Sequence, residues 1–497
     1  MQLTWHKYKY YPYERDFAQR EIVNLLTPNS TNITKDGVSI NGYFDSSLAQ
    51  RLVYFSKLIE ETGVVKPTQQ NLLERVNGSS INRQSTRYSA HGLHEYKGKF
   101  NPQVAKALLN IFNAHPGQLA LDPFCGSGTS LVECSHLGIN SVGTDINPLA
   151  VFLANAKLES LGILSEQLLS DGLLSLTKAK KSIYTLKLNN EREEYLQSWF
   201  PAEYLIDIER LRLSIESTNE HSSNVLLAIA SNLLRDYSLQ EPSDLRIRRR
   251  MTPFPEKSFF DAYEGAVRAF CLRINDSQQT LGVIKSPSVA INIDCRQSID
   301  HKNLQAGSFD LALTSPPYAT ALPYIDTQRL SLIWLGLIPP NEILPLEAKL
   351  VGSREIRGQN KSVLLDALES NTACLPASDL DFCVKLQNAL SESDGFRRQV
   401  VPRLLYRYFA GMAEAFTAVR RLVKPNAPFG LIVGGNHTVL SGKRFDINTP
   451  EHLGSIASAH GWHHIETVPL QTYRRYGLHA SNATNTEALL ILKARTD

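Results

Sequence analysis

From about residue 118 the chain alternates short, β-rich apolar runs, each closing in a polar or glycine-rich turn, with longer stretches of helical periodicity. That alternation predicts a mostly parallel α/β sheet with helices on both faces. Strands are predicted at Gln118–Asp122, Ser141–Asp145, Val289–Asp294, Phe309–Ser315 and Phe429–Gly435, with a closing pair at His464–Leu470 and Ala488–Ala494. Between the second and third runs lie about 130 residues of mostly helical pattern, including Ala202–Glu216 and Asn224–Tyr237, far more than an α/β connection needs. An inserted subdomain is therefore expected there, and a second insertion from roughly Pro339 to Asp394. The expected division is an N-terminal region of unassigned role (1–88), sheet core at 89–159, 287–338 and 401–497, a helical insertion at 160–286 and a second insertion at 339–400.

Four strand ends hold candidate chemistry. Asp122-Pro123-Phe124-Cys125-Gly126-Ser127-Gly128-Thr129 stands between an apolar strand and a helical pattern, where glycines let the backbone turn sharply and a ligand approach the main chain at a helix N-terminus. Asp145 ends the next strand, 17 residues after Gly128, about where an acid meets ribose hydroxyls in nucleotide-binding folds. Asp294 places a further carboxylate along the same edge. The third glycine of a GxGxxG is missing, which argues against a dinucleotide pyrophosphate and favours S-adenosylmethionine, a nucleoside without phosphate.

The fourth predicted strand runs into Ser315-Pro316-Pro317-Tyr318. Two prolines set φ and remove two N–H donors, leaving carbonyls in a rigid, extended array. Such an array suits an exocyclic amino group, accepted by the Ser315 side chain and the Pro316 carbonyl, with Tyr318 stacked on a planar base. Accepting both amine protons favours a tetrahedral nitrogen whose lone pair attacks a methyl group held in line.

With these motifs in order, the chain resembles the DNA amino-methyltransferases, and SPPY, as opposed to NPPY or DPPY, resembles their N4-cytosine branch. The resemblance implies a Rossmann-like class I methyltransferase fold with a seven-stranded sheet, and S-adenosyl-L-methionine as cofactor. His94-Glu95-Tyr96-Lys97-Gly98-Lys99-Phe100-Asn101-Pro102 resembles the family's leading motif, in which Phe100 would flank the methionine end of the cofactor. DPFCGSGT, with Asp122, Phe124, Gly126, Gly128 and Thr129, resembles the cofactor loop; Asp145 resembles the ribose-binding acid and Asp294 the acid that meets the adenine amine. Tyr324-Ile325-Asp326, Arg329-Leu330 and Trp334-Leu335-Gly336 also resemble these enzymes. The first insertion falls between the two acids, away from the family's familiar place for a recognition domain.

The implied activity is methylation of cytosine N4 in double-stranded DNA at a specific sequence, as the protective half of a restriction or phage-defence system with a separately encoded endonuclease. An adenine-N6 DNA methyltransferase is the nearest rival, followed by a tRNA guanine-N2 methyltransferase, against which Ser315 counts. A non-catalytic nucleic-acid-binding subunit is the alternative of a different class, and the intact Gly126, Gly128, Asp145 and SPPY argue against it.

Composition narrows the partners rather than the fold. Fifty-two Lys and Arg against 49 Asp and Glu leave +3 over 497 residues, so any nucleic-acid surface must be local. The densest basic run is Arg246-Ile247-Arg248-Arg249-Arg250, in the first insertion, and Arg246, Arg248, Arg249 and Arg250 are expected to contact DNA. Arg397, Arg398, Arg403, Arg407, Arg474 and Arg475 are further candidates, while the N-terminal run WHKYKYYPYERDF suits either base stacking or a strand packed on the core. Six scattered cysteines include no CxxC pair, and no metal ligand set is expected; Cys125 reads as a packing residue rather than a nucleophile. A start without a signal-like apolar core, and no run of about 18 apolar residues, lead to the expectation of a cytoplasmic protein.

Overall fold

A computed structural model describes residues 1–42, 44–74, 84–96, 98, 100–187, 189–244, 246–297, 301–319, 325–356, 361–471 and 486–496, without the side chains of Lys361 and Thr486. Lys97, Lys99, Tyr324, Arg474 and Arg475 lie outside the described residues. Five strands come first: β1 (Gln2–Trp5), β2 (Ser30–Ile33), β3 (Gly37–Asn41), β4 (Phe55–Ile59) and β5 (Val65–Pro67). The central sheet uses β6 (Leu119–Asp122), β7 (Asn140–Asp145), β8 (Val289–Asn292), β9 (Leu311–Thr314), β10 (Pro428–Gly434), β13 (Trp462–Gln471) and β14 (Thr486–Ala494), while β11 (Asn436–Leu440) and β12 (Lys443–Ile447) form a hairpin.

The strand order is β13-β14-β10-β9-β6-β7-β8. Strands β10, β9, β6, β7 and β8 are parallel, and β14 runs antiparallel to both β10 and β13. From β6 the chain builds outward through β7 to β8, then returns to the other side of β6 with β9, so the order reverses between β6 and β9. In open parallel sheets a ligand crevice lies at such a reversal, beyond the carboxyl ends of the strands. All seven predicted strands are present with ends moved by at most two residues; the largest change at the site is that β8 stops at Asn292, which leaves Asp294 on the following turn.

Alternation along the buried strands divides the sheet into two faces. Leu121, Ala312, Leu431, Val433, Leu490 and Leu492 face the long helix Val401–Leu422 and the helix Thr449–Ala459. Their neighbours Ala120, Leu311, Leu313, Ile432 and Leu489 face the helix Pro102–Ile111 and, through it, the N-terminal sheet. The first insertion, with helices Ser165–Lys181, Ala202–Glu216, Glu220–Leu233 and Phe259–Leu281, packs on the helix Pro148–Gly162 in a third cluster. The second insertion lies against the 401–422 helix.

The N-terminal region, unassigned from sequence, is a five-stranded antiparallel sheet, order β2-β3-β1-β4-β5, backed by the helix Pro12–Leu26. Its aromatic run packs inward: Trp5, Tyr8, Tyr13 and Phe17 are buried, and Trp5 stacks on Phe55 with centroids 4.4 Å apart. Strand packing, not base stacking, is therefore what those residues do. A buried polar set fastens this sheet to the core: Asn110 Nδ2 donates to Glu21 Oε1 (2.7 Å) and the Arg51 carbonyl (3.1 Å), and Arg51 Nη2 donates to the Ala114 carbonyl (2.8 Å). Among the described residues no helix is long and apolar enough to cross a membrane.

Removing the shared donor strands the Arg51 carbonyl, at about 1–3 kcal/mol for a buried group left unpaired, and leaves Glu21 with the Val53 N–H. Asn110→Leu is accordingly expected to lower the stability of the whole molecule by ~1–3 kcal/mol with an unchanged denaturant slope, measured by equilibrium urea unfolding.

Candidate active site at the strand reversal

At the end of β6 the chain turns through Pro123–Gly128 and enters the helix Thr129–His136, with Thr129 buried at its first position. The two glycines answer different needs. Gly128 has φ +79°, and a Cβ there would lie 2.9 Å from Cβ of Ala154, so this position lets the 129–136 helix close on the 148–162 helix. Gly126, φ +49°, stands beneath Tyr96 of the leading motif, whose ring would be 3.4 Å from an added Cβ. Gly126 N–H donates to Oδ2 of Asp145 (3.0 Å) and Asn147 N–H to Oδ1 (2.8 Å), tying the loop to the end of β7. Lys157, wholly buried, donates from below to the carbonyl (2.7 Å) and hydroxyl (2.9 Å) of Ser127. Phe100 is half-buried against the N-terminal core, and Phe124 half-buried on the opposite face of the sheet.

Three carboxylates line this edge. Asp122 is buried and its Oδ1 accepts from Thr314 Oγ1 (2.6 Å) and Phe124 N–H (3.2 Å); burial raises its pKa to about 6. Burial likewise lifts Asp145 to about 6, against the two N–H donors, with Asp294 adding to the rise. Asp294 is different: against its own desolvation, Arg296 holds it below the usual carboxylate range through contacts of 2.9 and 2.6 Å. The expected adenine-facing acid is thus engaged by an arginine. Beside it a cavity of about 210 Å³ reaches from Pro123, Thr144 and Cys295 to Val419 on the 401–422 helix.

The donor set fits S-adenosyl-L-methionine: carboxylates favour a sulfonium cation and ribose hydroxyls, and repel phosphate. Cys125 is buried, its thiol pushed well up by burial and then by Asp145 and Asp122, and a Cβ at Gly143 would lie 2.6 Å from its own Cβ. Its environment is that of a packing side chain.

Ser315–Tyr318 leaves β9 outside any helix or strand, its base tied to this loop by the Thr314–Asp122 bond. Ser315 Oγ donates to the Ile432 carbonyl of β10 (3.0 Å), so its hydroxyl hydrogen is committed and its lone pairs serve as acceptors. Tyr318 OH donates to Glu487 of β14 (2.8 Å), and Asn436 Nδ2 to the Ala319 carbonyl (2.8 Å). Gly352 rests on the tetrapeptide, since a Cβ there would meet the Tyr318 carbonyl at 2.6 Å. Glu487, Asn436 and Gly352 were missed from sequence; each is far away along the chain and carries no local signature.

The basic run does not form one surface. Arg250 donates to the carbonyls of Ser238 (2.7 Å), Arg235 (3.1 Å) and Asp236 (2.7 Å) and lies over Phe254, so its guanidinium closes the turn after the 220–233 helix instead of meeting DNA. Arg249 donates to the Ser198 carbonyl (2.9 Å) and stacks on Trp199, which Arg329 covers as well. Arg246 and Arg248 are exposed. Arg407, another candidate, donates to the Ser353 and Glu355 carbonyls.

One His/Glu group close enough to share an ion occurs among the described residues: His91, Glu133 and His136, all buried behind the cofactor loop. Glu133 Oε1 accepts from Tyr88 OH (2.7 Å) and pairs with His91 Nε2 (2.7 Å), and Oε2 meets His136 Nδ1 at 3.3 Å. Despite burial, His136 and His91 hold Glu133 well below its ordinary range, and desolvation lowers His91 to about 4. These contacts at hydrogen-bond length bind the segment before the leading motif to the helix after the cofactor loop.

A DNA methylase family model matches residues 5–156, which include the N-terminal sheet, the leading motif, the cofactor loop and Asp145. Type II methyltransferase M.MjaII of Methanocaldococcus jannaschii is 35% identical over 136 residues, 26% of this chain and 25% of that protein. Type II methyltransferase M.AvaI of Nostoc sp. is 23% identical over 406 residues, 78% of this chain and 82% of its own, and M.MvaI of Kocuria varians 24% identical over 77% and 84%. The chain thus spans a quarter of the first of these relatives and more than four-fifths of the other two. The sheet order, the motifs at its reversal and these matches together support a DNA amino-methyltransferase, an enzyme class whose methyl donor is S-adenosyl-L-methionine.

Proposed function

We propose that the protein methylates the exocyclic N4 amine of a cytosine swung out of double-stranded DNA at a specific sequence. The observation that carries this reading is Ser315-Pro316-Pro317-Tyr318 at the end of β9, bonded through Thr314 to the residue that opens the cofactor loop. The cofactor, when bound, supplies an activated methyl group. Ser315 Oγ, its own hydrogen turned to Ile432, and the Pro316 carbonyl accept the two amine protons, which directs the nitrogen lone pair outward. Tyr318, held by Glu487, stacks on the base. The lone pair forms the new N–C bond as the C–S bond breaks with its electrons to sulfur, and one amine proton passes to water. Serine at the head of the tetrapeptide is what favours cytosine N4 over adenine N6. Two of the relatives' Type II designation, matched over most of the chain, supports a protective role beside a separately encoded endonuclease in the cytoplasm.

Two measurements test this. Nucleoside mass spectrometry of plasmid DNA treated with the purified protein is expected to reveal N4-methylcytosine. Tyr318→Ala should lose most of that product, stacking alone being worth ~1–3 kcal/mol, while cofactor still binds, and Cys125→Ser should retain most activity. Finding 5-methylcytosine together with an inactive Cys125→Ser overturns the mechanism, and N6-methyladenine overturns the choice of base.

The second concerns Asp145. Its carboxyl must be ionised to accept ribose hydroxyls, yet burial raises it to about 6. Below that pH, binding requires proton release, so cofactor affinity should rise with pH through about 6 and level off above 7. In calorimetric titrations, Asp145→Asn should flatten this dependence and weaken binding at pH 8 by ~1–3 kcal/mol.

A further inference from the structure

Three separated segments converge on the exit of the catalytic tetrapeptide. The basic run is held there by Gln240 Nε2, which donates to the Asp326 carbonyl (3.0 Å), with the Ile247 N–H close to the Asp326 carboxylate. The second insertion arrives at Gly352, against the Tyr318 carbonyl. The short helix Phe396–Gln399 packs on β11, whose Asn436 binds the Ala319 carbonyl. Each segment brings an exposed arginine: Arg246, with Arg248 beside it, Arg354, and Arg397, with Arg398 beside it.

Arg354 is the centre of the group. Arg407 donates to the carbonyls on either side of it, Ser353 (2.5 Å) and Glu355 (3.1 Å), so a second cation fixes the backbone that presents the first. Desolvation and then the charges of Arg246 and Arg397 push the Arg354 guanidinium below its ordinary range, so the like charges of the three segments reach one another. Like charges so placed cost folding energy, and an anion between them repays it. At the rim Ile247 and Phe396 are 44% and 58% exposed beside Arg246 and Arg397, apolar surface of the kind that nucleic acid covers.

We propose that Arg246, Arg354 and Arg397 form one cradle for the phosphodiester backbone of the DNA strand next to the reacting base. The inference rests on the DNA-methylating reading and assigns the phosphate contact to three segments, two of them outside the basic run. Arg249 and Arg250 stay with Trp199 and the turn after the 220–233 helix.

The full-length protein is titrated with a fluorescein-labelled DNA duplex by anisotropy over roughly 0.05–0.2 M salt, the range in which released counterions set the slope. Arg354→Ala should reduce the slope of log K against log salt by about 0.9, each of Arg246→Ala and Arg397→Ala by a similar amount, and the triple variant by roughly three times as much. Arg354→Lys, which keeps the charge, should keep the parent slope. Arg268→Ala, on an outer helix and paired with Glu264, should also keep it, and cofactor affinity should be unchanged throughout. A parent slope in Arg354→Ala, or an equal loss in Arg268→Ala, overturns the cradle while leaving the DNA reading intact. A parent protein that binds cofactor but no duplex, or that binds RNA more tightly, overturns both.

Discussion

Thr314 and Asp122 end the two strands between which the sheet reverses direction, and the buried 2.6 Å bond between their side chains is the constraint on which the site depends. One loop leaves Asp122 toward the crevice proposed to take the cofactor, and the other leaves Thr314 as the tetrapeptide proposed to hold the base. A methyl group passes only between atoms held in line at near-contact distance, so an error in the spacing of these loops is an error in the reaction coordinate. The parallel register of β6 and β9, Ala120 opposite Leu311, sets that spacing coarsely, and the side-chain bond sets it at the loop bases. Burial raises Asp122 to about 6, and the Thr314 hydroxyl offsets part of the cost of keeping a carboxylate there.

The same economy of donors extends outward. Asp145 takes the N–H groups of Gly126 and Asn147, Ser127 takes Lys157 from below, and Ser315 gives its hydrogen to Ile432. Each is a polar contact that spends one capacity of a group and leaves another facing the crevice. For Ser315 the consequence is chemical: a hydroxyl whose hydrogen is already placed acts toward an amine as an acceptor only. For Asp145 it is electrostatic, since two N–H donors partly offset a burial that would otherwise keep the acid protonated.

Much of this was legible in the sequence, because it is written in short contiguous words. Strand ends, the glycine turn, Asp145 and the tetrapeptide each occupy a few neighbouring residues whose spacing follows from backbone geometry. Asp294 shows where that reasoning stops. Its position one turn beyond β8 follows from the apolar run, whereas its capture by Arg296 depends on a side-chain conformation that no periodicity encodes. Glu487 reaches Tyr318 across 169 positions and Asn436 reaches Ala319 across 117, through strands whose order is a property of the whole sheet. The N-terminal aromatic run was undecided for a similar reason. Alternating Trp and Tyr suit a buried sheet and a stacking surface equally, and Phe55, which settles the matter by stacking on Trp5, lies 50 residues away.

The arginines carry the argument a step further. A dense basic run reads as a polyanion surface, yet a guanidinium with its five donors also suits carbonyls gathered in a tight turn, and Arg250 is used in that way on three of them. Once a guanidinium's donors are consumed within the fold, its charge remains but its geometry no longer serves a phosphate. The proposed cradle of Arg246, Arg354 and Arg397 draws instead on separate segments, whose like charges act on one another. Natural folds place such repulsion where a ligand relieves it, and here the place adjoins the tetrapeptide that would hold the base.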